Sequence, residues 1–419
     1  MKKSVVKTID SFKDDIIACG DYILQNPELG FKEKKTSEYI KKEFKKLSIP
    51  YEENLAITGV KGKLKGKKSG INVCVIGEMD AVKCLENKFS DNETGAAHAC
   101  GHNAQIAMML GVAYGLKESG VMDFLCGDVT FMAVPAEEFV EIEYREQLKK
   151  KGKIGYLSGK QELIRIGAFN DIDIAIMIHS EAGTPEPNIF LNGSSLGFIA
   201  KNIEFYGKSA HAARPYEGIN ALNAASLSLM AIHANREVFR DEDKIRIHPI
   251  ITNGGDLVNV VPSKVTMETY VRGANMPAII NAAQKVDNAI NGSCISIGAT
   301  CKITDIQGYM PLLQDEYLSE VFEKNALDFV NKENIFHNID MTGSTDMGDL
   351  SNIIPCIQPT MGGFLGSAHG ADFEISSKET AYITTSKILA TTIIDLLSDD
   401  GKIGKEIIEN YKKKKKKEK

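Results

Sequence analysis

Three short apolar runs set the plan of the first half of the chain. Ile71-Asn-Val-Cys-Val-Ile76, Val129 to Val134 and Ile172 to Ile178 are nearly continuous in apolar residues, as expected of strands buried on both faces of a largely parallel sheet. Between the first two, Ala104 to Leu116 is rich in small residues and apolar almost all round, which predicts a buried helix. Residues 9–26 and 34–47 carry apolar positions at helical spacing, the second with Lys and Glu on its outer face. Strand, helix, strand, helix, strand predicts an α/β layer.

The pattern changes near residue 194. Phe198 to Tyr206, Ile245 to Thr252 and Lys264 to Arg272 read as strands, the last alternating Val265, Met267, Thr269 and Val271 against polar neighbours and Tyr270. Ile219 to Glu237 and Pro277 to Ile290 read as helices, and Cys294 to Ile306 as a strand. The order β-α-β-β-α-β is the ferredoxin-like split pattern. It predicts an inserted α+β domain over 194–307, with a first domain built from 1–193 and 308–411. A helix from Glu379 to Leu397 closes the first domain, and the Lys-rich 412–419 is expected to be a disordered tail.

The chain's 419 residues are too many for one ordinary core. A hydrophobic fraction of 43% with 25% charged residues is that of a soluble globular protein. The net charge of −6 gives no basic face for a nucleic acid. Eight cysteines lie scattered without framework spacing, several in apolar runs, so reduced thiols in a cytoplasmic setting are expected. No apolar leader follows the first residues, and no run is long enough to span a membrane.

Metal-binding chemistry collects where the elements end. Gly77-Glu78-Met79-Asp80 follows the first strand, Pro135-Ala-Glu137-Glu138 the second and His179 the third. His98-Ala-Cys100-Gly-His102-Asn opens the buried helix, and His369 lies in the Gly-rich Gly366-Ser-Ala-His369-Gly370. Ligand sites in open α/β sheets gather beyond the carboxyl ends of the strands. If these loops converge, Cys100, His102, Glu138, His179 and His369 give five ligands, enough for two metal ions. Taken singly, Cys100 reads as a buried thiol, His179 as a core histidine and the Glu pair as solvated. A cysteine nucleophile activated by His102 or His98 is the rival chemistry.

Together these segments resemble a known family. Gly77-Glu-Met-Asp-Ala81, His98-Ala-Cys-Gly-His-Asn103, Pro135-Ala-Glu-Glu138, Gly207-Lys-Ser-Ala-His-Ala-Ala-Arg-Pro215 and Gly366-Ser-Ala-His369 occur in order along nearly the whole chain. The chain is similar to the M20 family of metallopeptidases and amidohydrolases, in the branch of hippurate, aminobenzoyl-glutamate and auxin-conjugate hydrolases. The resemblance implies a zinc-exopeptidase-like catalytic domain carrying an inserted lid and dimerisation domain. It implies two divalent ions, zinc or manganese, held by Cys100 (bridging), His102, Glu138, His179 and His369. Glu137 would be the general base, Asp80 a carboxylate orienting a metal-site group, and His211 a histidine that reaches a neighbouring active site to stabilise the oxyanion. Asn259 and Arg272 match positions that contact a substrate carboxylate.

The implied protein is a homodimeric, cytoplasmic amidohydrolase cleaving N-acyl or N-aroyl amino acids, with a dipeptidase or aminopeptidase as the alternative. Two departures bear on its substrate. Ile76 stands where an Arg is more usual, and Glu141 to Arg165 is a long charged segment expected to reshape the approach to the site. Gly343-Ser-Thr-Asp346 looks like the aminobenzoyl-glutamate variant, with Ser344, Thr345 and Asp346 lining the pocket.

Overall fold

The computed structural model describes residues 1–341 and 343–418. The chain forms two units, Met1–Gly193 with Leu313–Asp340 and Asp349–Lys419, and Ser194–Leu312 with Met341–Gly348.

The first unit is built on a six-stranded sheet in the order Tyr51–Leu55, Gly59–Leu64, Cys126–Val134, Lys68–Glu78, Ile174–Ile176, Cys356–Ile357. Its first two pairings are antiparallel and the remaining three parallel. The apolar run from Ile71 is buried throughout, as a strand flanked on both faces requires. His102–Glu118 is a helix whose residues 102 to 116 are all buried, so its lack of a polar face is explained by packing on every side. A smaller sheet, Ile335–His337, Ile189–Leu191, Thr360–Met361 and His179–Ser180, extends from the same region.

The second unit carries Gly197–Tyr206, Ala221–Ala234, Arg246–Ile247 with Ile250–Asn253, Lys264–Gly273, Met276–Ser296 and Thr300–Gln307 in that order. Lys264–Gly273 pairs antiparallel with Gly197–Tyr206, which pairs antiparallel with Thr300–Gln307. Ile203, Phe205, Val265, Met267 and Val271 meet Ala224, Ala225, Val286 and Ile290 of the helices in one core.

Several elements differ from expectation. The helix expected over 9–26 is two, Lys2–Ser11 and Lys13–Leu24, broken at Phe12, whose ring stacks on Tyr114 at 4.8 Å. The strand expected from Cys294 begins at Thr300, because the preceding helix continues to Ser296 and Gly298 turns at φ 75°. The stretch expected to be a disordered tail is instead the end of a helix, Lys402–Glu418. Lysine is a good helix former and is favoured near a helix C-terminus. Tyr411 also anchors this helix by donating to the Ser351 carbonyl at 2.8 Å. The segment 141–165 forms two helices, Ile142–Lys150 and Gly159–Arg165, with Arg145 and Lys160 fully buried.

Candidate metal centre

Parallel strands open their carboxyl ends on one side of a sheet, and the site is assembled there. Lys68–Glu78 ends in Glu78 with Asp80 two residues on, Cys126–Val134 leads into Pro135-Ala-Glu137-Glu138, and Ile174–Ile176 leads to His179. His102 is the first residue of its helix. The turn before it works because residue 101 is glycine: its φ is 77°, and a Cβ there would lie 2.7 Å from Ser180 Cβ. That close approach lets Ser180 Oγ donate to the Cys100 carbonyl at 2.7 Å. His369 also adopts a left-handed φ of 61° and is tied down by its N–H donating to the Ala99 carbonyl at 2.8 Å.

These loops bring donor atoms into two triads that share one residue. Cys100, His102 and His179 place ligand atoms within 4.8 Å of one another, and so do Cys100, Glu138 and His369. Cys100 Sγ is 3.5 Å from His179 Nε2, and His369 Nε2 is 3.1 Å from Glu138 Oε1. A third group joins Glu78, His102 and Glu137. His102 Nδ1 lies 2.8 Å from the Asp80 carbonyl and 3.3 Å from Asp80 Oδ1. Nδ1–H therefore donates there, which leaves Nε2 as the nitrogen a metal would take once its proton is displaced. Asp80 Oδ2 accepts the Glu138 N–H at 2.9 Å, so one carboxylate orients both a ring and a neighbouring backbone.

The donor set suits a borderline dication. A thiolate, three imidazoles and a carboxylate are ligands that zinc and similar metals accept. Two buried atoms of this cluster, His102 Nε2 and Glu138 Oε1, face charged neighbours, Glu78 Oε2 and His369 Nε2, at 3.1 Å each. Both are donor atoms that a cation would take in place of the proton now held between each pair. The electrostatics agree. Burial opposes ionisation of Cys100, as does Glu138, yet His179 and His102 bring its thiol down to about 6. His369, bonded to Cys100 and Glu138, is raised to about 10. His179 is raised to about 9 against burial, chiefly by the Cys100 charge. Negative ligands thus hold protons where a metal would replace them.

His98 stands apart. Burial drives its pKa down to about 3, with His102 adding to the effect, and it belongs to neither triad.

The profile of Peptidase family M20/M25/M40 matches residues 74–395, which span both units. The chain belongs to this family. As an M20 peptidase it is a hydrolase acting on amide bonds. Among similar proteins, thermostable carboxypeptidase 2 of Saccharolobus solfataricus is 27% identical over 73% of this chain and 77% of its own. IAA-amino acid hydrolase ILR1-like 4 of Arabidopsis thaliana is 26% identical over 89% of this chain and 84% of its own. The Bacillus subtilis YXEP protein, described as a dinuclear metal binding peptidase, superposes with a TM-score of 0.73 at 20% identity. The match covers 93% of this chain and 99% of that one.

The remaining expected residues of this M20 peptidase lie in the second unit. His211 is exposed and its Nδ1 accepts the Ala213 N–H at 3.0 Å, which assigns the proton to Nε2. Asn259 is exposed, and its carbonyl accepts the Ala212 N–H at 2.9 Å, so it neighbours His211. Arg272 is half-buried, donating to Ser344 Oγ at 2.8 Å and lying 5.4 Å from the ring centroids of Phe198 and Tyr270.

Glu78 escaped the sequence reading as a site residue. It is fully buried, with Oε2 3.1 Å from His102 Nε2 and accepting from Gln105 Nε2 at 2.7 Å. Lys160 pairs with its other oxygen. Burial opposes the Glu78 charge, but Lys160 and then His102 hold its pKa at about 2. The only sequence signal was its place beside Met79-Asp80 at a strand end.

Proposed function

We propose that this M20 peptidase is a metal-dependent amidohydrolase of N-acyl or N-aroyl amino acids. The observation that carries the reading is the pair of donor triads joined at Cys100 beside Glu137. Cys100, His102 and His179 would hold one divalent ion, and Cys100, Glu138 and His369 the other, zinc or manganese in each case. Bound there, the ions supply Lewis acidity and lower the pKa of a water molecule. Glu137 takes the proton from the attacking water and returns it to the leaving amine. Asp80 fixes the His102 ring. Asn259 and Arg272 take the substrate carboxylate, with Ser344, Thr345 and Asp346 near it.

The names of similar proteins support the substrate class, since they include both carboxypeptidases and IAA-amino acid hydrolases. The dinuclear B. subtilis protein supports two ions. A panel of hippurate, acetyl-amino acids, aminobenzoyl-glutamate and dipeptides, offered to metal-reconstituted protein, tests the reading. At least one N-acyl amino acid should be cleaved faster than every dipeptide. Cleavage of dipeptides alone would replace this reading with the dipeptidase one.

The protein is proposed to act as a cytoplasmic homodimer through its second unit, with His211 donating Nε2–H to the oxyanion in the active site of a neighbouring copy. The Thr300–Gln307 strand is paired on one side only among the described residues, and Met230 on the helix Ala221–Ala234 is 69% exposed. Light scattering should give about twice the chain's 45.9 kDa. A monomer with full activity would remove His211 from this role. No helix of the described residues is long and apolar enough to cross a membrane.

A further inference from the structure

The loop that carries Glu137 is held from behind by a buried arginine. Arg145, on the helix Ile142–Lys150, is fully buried. Its Nη1 donates to the carbonyls of Leu157 at 2.7 Å and Ala136 at 3.3 Å, and its Nη2 donates to the Glu138 carbonyl. The opposite edge of the same three residues is held by carboxylates. Glu33 Oε1 accepts the Ala136 N–H at 2.8 Å, and Asp80 Oδ2 accepts the Glu138 N–H at 2.9 Å. The main-chain polar groups on both sides of Glu137 are therefore all fixed. Ala136 itself has a φ of 53°, a region that residues with a side chain rarely enter and that persists only when its surroundings impose it.

Space has been left for this arrangement. A Cβ on Gly30 would lie 2.4 Å from Arg145 Nη2 and 2.9 Å from Ala136 Cα. The guanidinium also lies 5.4 Å from the centroid of the Phe31 ring. Among the described residues no carboxylate pairs with Arg145. Taking a cation out of water is costly when no counter-charge receives it. Anchoring a surface helix does not require that expense, because an apolar side chain would do it. What a guanidinium alone supplies is a planar fork able to hold several carbonyls in fixed relation.

We propose that Arg145 is a positioning residue for the general base: it fixes the backbone of Ala136-Glu137-Glu138 so that the Glu137 carboxylate meets its proton in register. The inference rests on the base assignment given under the proposed function. It also gives the 141–165 segment a task, supporting the catalytic loop from inside the unit.

The test compares R145M, R145K, G30A and E137Q on the N-acyl amino acid cleaved fastest in the panel, with metal content measured for each. R145M should lower kcat about a hundredfold, the scale of a 1 Å misplacement, with KM within about threefold and two metals retained. R145K, keeping charge and some donors, should recover about tenfold of that loss. The double variant R145M/E137Q should be no slower than E137Q, because both act on one proton transfer. If R145M does not fold, R145K and G30A carry the same expectation, each slower in kcat with KM and metal content kept.

A wild-type kcat in R145M, or in R145K and G30A where R145M fails to fold, with E137Q slow, overturns the proposal alone. So does loss of metal in parallel with rate, or a double variant slower by the product of the two single losses. E137Q at the wild-type rate overturns the base assignment and the proposal with it.

Discussion

Glu137→Gln is expected to bind both metals as the natural chain does and to lose between about a hundredfold and ten-thousandfold in kcat. That is roughly 3 to 5 kcal/mol of barrier. The amide keeps the size of the carboxylate but cannot accept a proton, so the change separates proton transfer from every other contribution. Glu137 is nearly buried and grouped with Glu78 and His102, whereas neither of the two triads that share Cys100 includes it. Metal analysis alongside steady-state kinetics reads both quantities. An unchanged rate, or a loss of rate that tracks a loss of metal, would remove Glu137 from the role of base.

The second large effect is expected on the metals themselves. Chelation should lower activity by about a thousandfold or more, since several kcal/mol of transition-state stabilisation depend on the ions, and zinc or manganese should restore it. Because Cys100 belongs to both triads, Cys100→Ser should disturb both sites, leaving fewer than about one ion per chain. His179→Ala, which touches one triad, should leave about one. The pH dependence follows from the same groups. His179 and His369, raised to about 9 and about 10, are protonated at neutral pH in the metal-free protein. Metal must displace those protons, so affinity rises with pH and falls towards acid, more steeply below about 6 where the Cys100 thiolate is lost. A competing thiol mechanism predicts the reverse pattern, with activity surviving chelation and abolished by alkylation. Such survival would sink the metal reading.

The donor triads were legible in the sequence because their members sit in short contiguous motifs at element ends. Cys100 and His102 share one turn, and Glu137 and Glu138 one loop, which marked them as candidates; each also had a bland reading, and the resemblance to the M20 family joined them to His179 and His369. The supporting charges were not legible. Arg145 and Lys160 lie in the long charged segment expected to reshape the approach to the site, and nothing local shows that one reaches the carbonyls of Ala136 and Glu138 and the other Glu78. Glu33 likewise meets Ala136 across more than a hundred positions. Burial of a charge is decided by closure of the whole unit, which periodicity does not encode. The same limit explains the C-terminal helix. A lysine run reads as disorder from charge alone, whereas the Tyr411 bond to Ser351 depends on a distant turn.

The division of the chain has a practical outcome. Residues 341–348 fold with the second unit although they lie beyond the inserted stretch. Main-chain bonds secure them there, Leu196 N–H to the Gly343 carbonyl at 3.1 Å and Met341 N–H to the Ser194 carbonyl at 2.8 Å. The backbone therefore passes between the units at four places, after residues 193, 312, 340 and 348. A cassette cut at 194 and 312 would strand a short peptide that carries Ser344, the partner of Arg272. Anyone transplanting the second unit onto another scaffold must move two pieces of chain, or the Arg272–Ser344 hydrogen bond will be left behind.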